Sequence, residues 1–138
     1  MRLWLDCEYN DFMGELISLA LVDEVGREFY MSLGCENPSP WVARNVMPVL
    51  NKNPVHAHVL GSFMARFLSV YPSIHIIADW PEDIAHFCRA LIYDPGERFN
   101  TPPMTMEVKR DIESISLIPH NALADARAIR LADLMQTQ

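Results

Sequence analysis

The chain has 138 residues, half of them hydrophobic, and a formal net charge of −7. That length suits one domain, 1–138, with enough apolar material for a core; no apolar run approaches the ~18 residues that a membrane span needs. The acidic balance excludes a protein that coats long duplexes, because phosphate contacts call for Lys and Arg.

The N-terminus reads straight into a strand, so no signal peptide is expected. Cys7, Cys35 and Cys88 are odd in number and lack metal-type spacing. They suit packing roles in a reducing compartment, which points to a cytoplasmic address.

Residues 2–8 alternate. Leu3, Leu5 and Cys7 point one way, and Trp4, Asp6 and Glu8 point the other. Two residues of rise put Asp6 and Glu8 roughly 6.6 Å apart on one face. Two carboxylates that close on an apolar strand repel each other and lose hydration; a divalent cation is the usual remedy. An acidic outer face on an edge strand would show the same pattern.

A second strand runs over 16–22, residues 23–26 turn the chain, and 27–33 return it as an antiparallel meander. After a loop over 34–40, Ser39 can cap a helix whose first turn holds Pro40 and which Pro48 stops near Met47. Asn53 and Pro54 repeat that start signal for a helix over 55–70. His56 and His58 lie about 200° apart on such a helix, so one metal would not see both. A short apolar run, Ile74 to Ala78, reads as a buried parallel strand. Pro81 begins a helix to about Ile92. Residues 93–103 form a Pro- and Gly-containing loop, mobile or substrate-facing. Residues 104–118 hold an irregular turn and a last short strand, and Asn121 to Met135 is a helix. The expected fold class is α/β: a mixed five-stranded sheet, an antiparallel meander followed by parallel strands, flanked by helices.

Winding the last helix at about 100° per residue gathers Ala124, Ala128, Ile129, Leu131, Ala132 and Met135 into an apolar arc. Arg127, Arg130 and Asp133 fall on the opposite side. Asp125 lies inside the arc, where a carboxylate is costly unless it is paired or metal-bound. Backbone donors could also satisfy it. In the helix from Pro81, residues Ile84, Ala85, Phe87, Cys88, Leu91 and Ile92 form the packed side, while Glu82, His86 and Arg89 face water. Asp83 sits at the boundary, where a first-turn acid also suits the helix dipole. Asp79 ends the preceding strand and reads equally as a helix cap. His120 precedes Asp125 by five residues, so a loop imidazole and a helix carboxylate can face one site. Trp80 and Tyr93 either pack or offer a surface on which a base can stack.

Three segments together carry a family resemblance: Leu5-Asp6-Cys7-Glu8 with the strand that follows, the run from Ile76 to Asp83, and His120-Asn121-Ala122-Leu123-Ala124-Asp125. In this order the chain resembles the DnaQ-like 3′–5′ exonucleases of the DEDDh class, and small 3′–5′ exoribonucleases in particular. The resemblance implies an RNase H-like fold and a single exonuclease domain. It also implies two Mg²⁺ or Mn²⁺ ions about 3.5–4 Å apart. Their ligands would be Asp6, Glu8, Asp83 and Asp125, with His120 as general base. The register favours Asp83 over Asp79, and Asp79 stays open as a ligand beside it or in its place. The implied reaction releases nucleoside 5′-monophosphates from the 3′ ends of single-stranded RNA or DNA, with RNA or short oligonucleotides favoured for so small and acidic a domain. Small members of this class often pair, which leaves a homodimer open. The alternatives are a non-catalytic RNase H-like module that holds nucleic-acid ends, and a metal-dependent phosphatase acting on nucleotides.

Overall fold

The computed structural model describes residues 1–137. In chain order the elements are β1 (Arg2–Tyr9), β2 (Leu16–Asp23), β3 (Glu28–Ser32), α1 (Pro40–Asn45), a 3₁₀ turn (Met47–Val49), α2 (Ala57–Leu68), β4 (Ile74–Ala78), α3 (Pro81–Ala90), β5 (Ile92–Asp94), β6 (Glu97–Arg98), β7 (Met104–Val108) and α4 (Ala122–Gln136). Five strands form one mixed sheet in the order β3-β2-β1-β4-β7. The β1–β2 and β2–β3 pairs are antiparallel. The β1–β4 and β4–β7 pairs are parallel. No helix among the described residues is long and apolar enough to cross a membrane.

The period-2 pattern of β1 divides the core. Leu3, Leu5 and Cys7 join Leu19, Leu21, Ile76 and Ala78 beneath α2 and α3, against Leu60, Met64, Leu68 and Phe87. Trp4 and Ile77 face the other way, under Ile129 of α4. Ala20 and Val22 meet Ala122 and Ala126 there. With alanine on both sides, α4 lies close over β1 and β2. Gly61 performs the same service between α2 and α3: a Cβ there would come within 2.4 Å of the Ala90 carbonyl oxygen.

Several sequence expectations shift. Helix α2 starts at Ala57 rather than Val55, because Pro54 bridges Ser32 and the Val55 N–H donates to the Ser32 carbonyl. His56 then caps the helix, its Nδ1 accepting from the His58 N–H at 3.3 Å. The expected loop over 93–103 contains part of the small β5–β6 hairpin, turned at Gly96 with φ +75°.

Both site-bearing helices bury, wholly or in part, most of the residues expected and depart from their expected faces at particular positions. In α3 the buried side is Asp83, His86 and Phe87; Ala85 is exposed. His86 therefore does not face water: its ring stacks on Tyr9 at 4.7 Å. In α4 the buried residues are Ala122, Ala124, Ala126, Ile129 and Asp133, so Ala124 and Ile129 face inward as expected, while Leu131 and Met135 are exposed. Asp133, expected on the outer side, accepts the Trp4 indole N–H at 2.9 Å and pairs with Lys109 at 2.6 Å. A buried indole N–H needs an acceptor, and that need outweighs the greasier face of Leu131 in setting the helix rotation.

Candidate metal centre

Asp6 and Glu8 stand on the central strand β1, opposite Ala20 and Ser18 of β2, just before a bulge at Glu8–Tyr9. Asp125 lies in the first turn of α4, at the edge of its buried stripe rather than in the middle of an apolar arc. Asp79 follows the end of β4, and Asp83 lies in the first turn of α3. The parallel β1–β4 pairing and the two helix starts deliver all five carboxylates to one end of the sheet.

They form two triads that share one residue. In each of Asp6–Glu8–Asp125 and Asp6–Asp79–Asp83, the ligand oxygens lie within 4.8 Å of one another. Asp79 and Asp83 thus stand together at the site, and neither excludes the other. Asp79 does not cap α3. Trp80 occupies the N-cap position without a side-chain cap bond, and Pro81 follows at the helix start.

Burial and mutual repulsion disfavour the charged forms. Burial above all, then the charges of Asp83, Glu8, Asp125 and Asp79, hold the Asp6 carboxyl well above the usual range. Burial, then the Asp125 charge, pushes Glu8 up to about 9. Burial, then Asp79, pushes Asp83 up to about 8. Burial also raises Asp79. Asp6 Oδ2 is buried with no hydrogen-bond partner among the described residues. A carboxylate oxygen is seldom buried without a donor, and here the neighbours are carboxyl groups that, once ionised, offer only acceptors. An all-oxygen carboxylate set around an orphaned acceptor fits a hard divalent cation such as Mg²⁺ or Mn²⁺.

His120 enters from the loop before α4 in a left-handed conformation, φ +71°. Its backbone N–H donates to Asp125 Oδ2 at 3.1 Å, which holds that carboxylate at the helix start. Asn121 caps α4 through its side chain, accepting from the Ala124 N–H. The His120 ring meets Trp41 edge-on at 5.0 Å. Trp41 in turn lines a cavity of about 450 Å³ that contains Asp6, Glu8, Asp79 and Asp83.

Aromatic groups edge the same cavity. Trp80 lies 6.0 Å from Phe12. Arg110 stacks over Trp80 at 4.4 Å and donates to the Asp79 carbonyl. Trp80 is thus at the site, whereas Tyr93 lies away from it, on β5 of the small hairpin and against His58 and Phe99. Sequence reasoning missed Phe12 and Trp41. The readable signal at Phe12 was a large apolar residue in the turn 10–14, where polar residues normally sit; it is 74 % exposed. No protein-family model matches the chain, and no curated protein matches it in sequence.

Proposed function

We propose that the chain is a metal-dependent 3′–5′ exonuclease of the DEDDh class, with an RNase H-like fold, acting on single-stranded ends of RNA or DNA. The observation that carries this reading is the convergence of five carboxylates, from three separated segments, into two triads joined at Asp6. A lone metal site or a solvated acidic face does not require a shared, buried, donorless carboxylate.

Asp6, Glu8 and Asp125 would hold one cation, and Asp6, Asp79 and Asp83 the other. Divalent cations there supply the charge that makes a water acidic and neutralises a departing oxygen. The chain's own groups provide the remainder. His120, whose ring meets Trp41 of the cavity wall, accepts the proton of the attacking water as general base. Oxygen adds to the terminal phosphorus, the bond to the preceding 3′ oxygen breaks, and that oxygen takes up a proton. The product is a nucleoside 5′-monophosphate. The exposed ring of Phe12, with Trp80 and Trp41, offers faces for bases, and stacking accepts any base because each has a π face.

Incubation with Mn²⁺ and a 5′-labelled single-stranded oligonucleotide tests the reading. Progressive shortening from the 3′ end is the expected result. An intact band with a mobility shift would identify a binding module. Phosphate release from nucleotides, with oligonucleotides untouched, would identify a phosphatase.

A further inference from the structure

A second cavity, of about 560 Å³, lies on the other side of the loop that joins β1 to β2. Phe12 and Asp11 of that loop line the acidic cavity; Met13, Gly14 and Glu15 line the second one. The two cavities also meet through one stacked pair, since Tyr9 lines the first and His86 the second.

The chemistry of the second cavity differs from that of the first. Leu16, Leu33 and Leu60 give it an apolar floor, while His58, His86 and Arg89 bring donors. His86 is 7 % exposed, and its Nε2 is buried without a hydrogen-bond partner among the described residues. The nearest carboxylate oxygen, on Glu82, stands 3.6 Å from it, beyond hydrogen-bond reach. Glu82 is already engaged by the Met13 N–H at 2.8 Å. His86 lines the cavity, and its Nε2, just beneath the surface, has only this long contact with Glu82, so a small shift of the ring brings it to a polar partner in the cavity. The cavity is within the size range of small-molecule sites and has their usual makeup, apolar with a few convergent polar groups. An apolar floor, an imidazole and one guanidinium match a nucleobase joined to a phosphate: the base covers the leucines, its edge meets His86, and Arg89 meets the phosphate.

We propose that this cavity is a second nucleotide-binding site, adjacent to the acidic one, with Arg89 and His86 as its recognition residues. The choice of ligand rests on the nuclease reading; the site itself is separate from the carboxylates. The source is either a free mononucleotide or an internal unit of a strand whose end lies among the carboxylates.

The test is binding without turnover. The protein, in chelator, is titrated with uridine 5′-monophosphate or with a uridine tetranucleotide, and the ring signals of its five histidines are followed by NMR. His86 and His58 should shift. A charge-assisted contact is worth enough that Arg89→Glu should weaken binding about tenfold or more. Arg66→Glu, with the same charge change on the exposed face of α2, should leave it unchanged. Shifts with both ligands assign the site to any nucleotide; shifts with the tetranucleotide alone assign it to an upstream unit of the strand. If His120 alone moves, or both charge variants weaken binding equally, the proposal fails. Nucleotide release in Mn²⁺, measured on the same protein, separates the two readings. Cleavage with unmoved His86 sinks only the second site, and a shifted His86 without cleavage sinks only the nuclease.

Discussion

Asp6→Asn should make the metal-free protein more stable while destroying its activity. Asp6 belongs to both carboxylate triads, with partner oxygens within 4.8 Å. A pair of unit charges at that separation repels by about 3 kcal/mol at an effective dielectric constant of about 20. Protonation already relieves part of this, since burial and crowding raise Asp6, Glu8 and Asp83. About 1–3 kcal/mol should remain to be recovered at pH 8. Asparagine keeps the shape and places an NH₂ where Oδ2 now lacks a donor, so it can bond to the neighbouring carboxylates. For a domain of this size, that gain raises Tm by roughly 4–10 °C. The assay is thermal unfolding at pH 8 in chelator and again in millimolar Mn²⁺. In chelator the variant should melt above the wild type. In Mn²⁺ the order should reverse, because only the intact centre gains from the cation. Turnover should fall by about 10²-fold or more, the loss of several kcal/mol of charge stabilisation. A variant that melts below the wild type in chelator would refute the reasoning: Asp6 would then be a satisfied structural carboxylate, not a repelled ligand.

His120→Ala should retain metal-induced stabilisation and lose about 10²–10⁴-fold in turnover; a variant keeping more than about a tenth of wild-type rate removes His120 as the base. Asp83→Asn should cost more turnover than Asp79→Asn at saturating Mn²⁺, since Asp83 is the more deeply buried of the two. The reverse order of initial rates would make Asp79 the principal ligand of its triad. Stability in chelator should fall as pH rises. Glu8, up to about 9, and Asp83, up to about 8, bind protons more tightly when folded, so their contribution is full below the ordinary carboxylate range and is lost as pH passes through 8 to 9. His86, lowered by burial, acts in the opposite sense, but below its ordinary value of 6.5. Tm measured from pH 7 to 9 in chelator should therefore decline, and a rise across that interval would contradict the raised carboxylates.

The sequence by itself placed the five strands of the mixed sheet along the chain, the meander, and the acidic residues that the fold brings together. Alternation in 2–8 separates Leu3, Leu5 and Cys7 from Trp4, Asp6 and Glu8, and period 2 alone puts the two acids on one face. Helix rotation was not legible in the same way. Periodicity in α4 favoured Leu131 and Met135 as inward residues, yet Asp133 is inside because it answers the indole of Trp4, 129 residues away. Likewise His86 looked solvated by its chemistry and is buried because Tyr9 offers it a ring. The choice between Asp79 and Asp83 had no answer in one dimension: a strand end and a helix start four residues apart converge on Asp6 only when β4 pairs with β1. Local pattern fixes which side chains share a face. Only packing between distant segments fixes which face is covered, and by what, because the partner that satisfies a buried polar group is chosen by the fold and not by its neighbours in the chain.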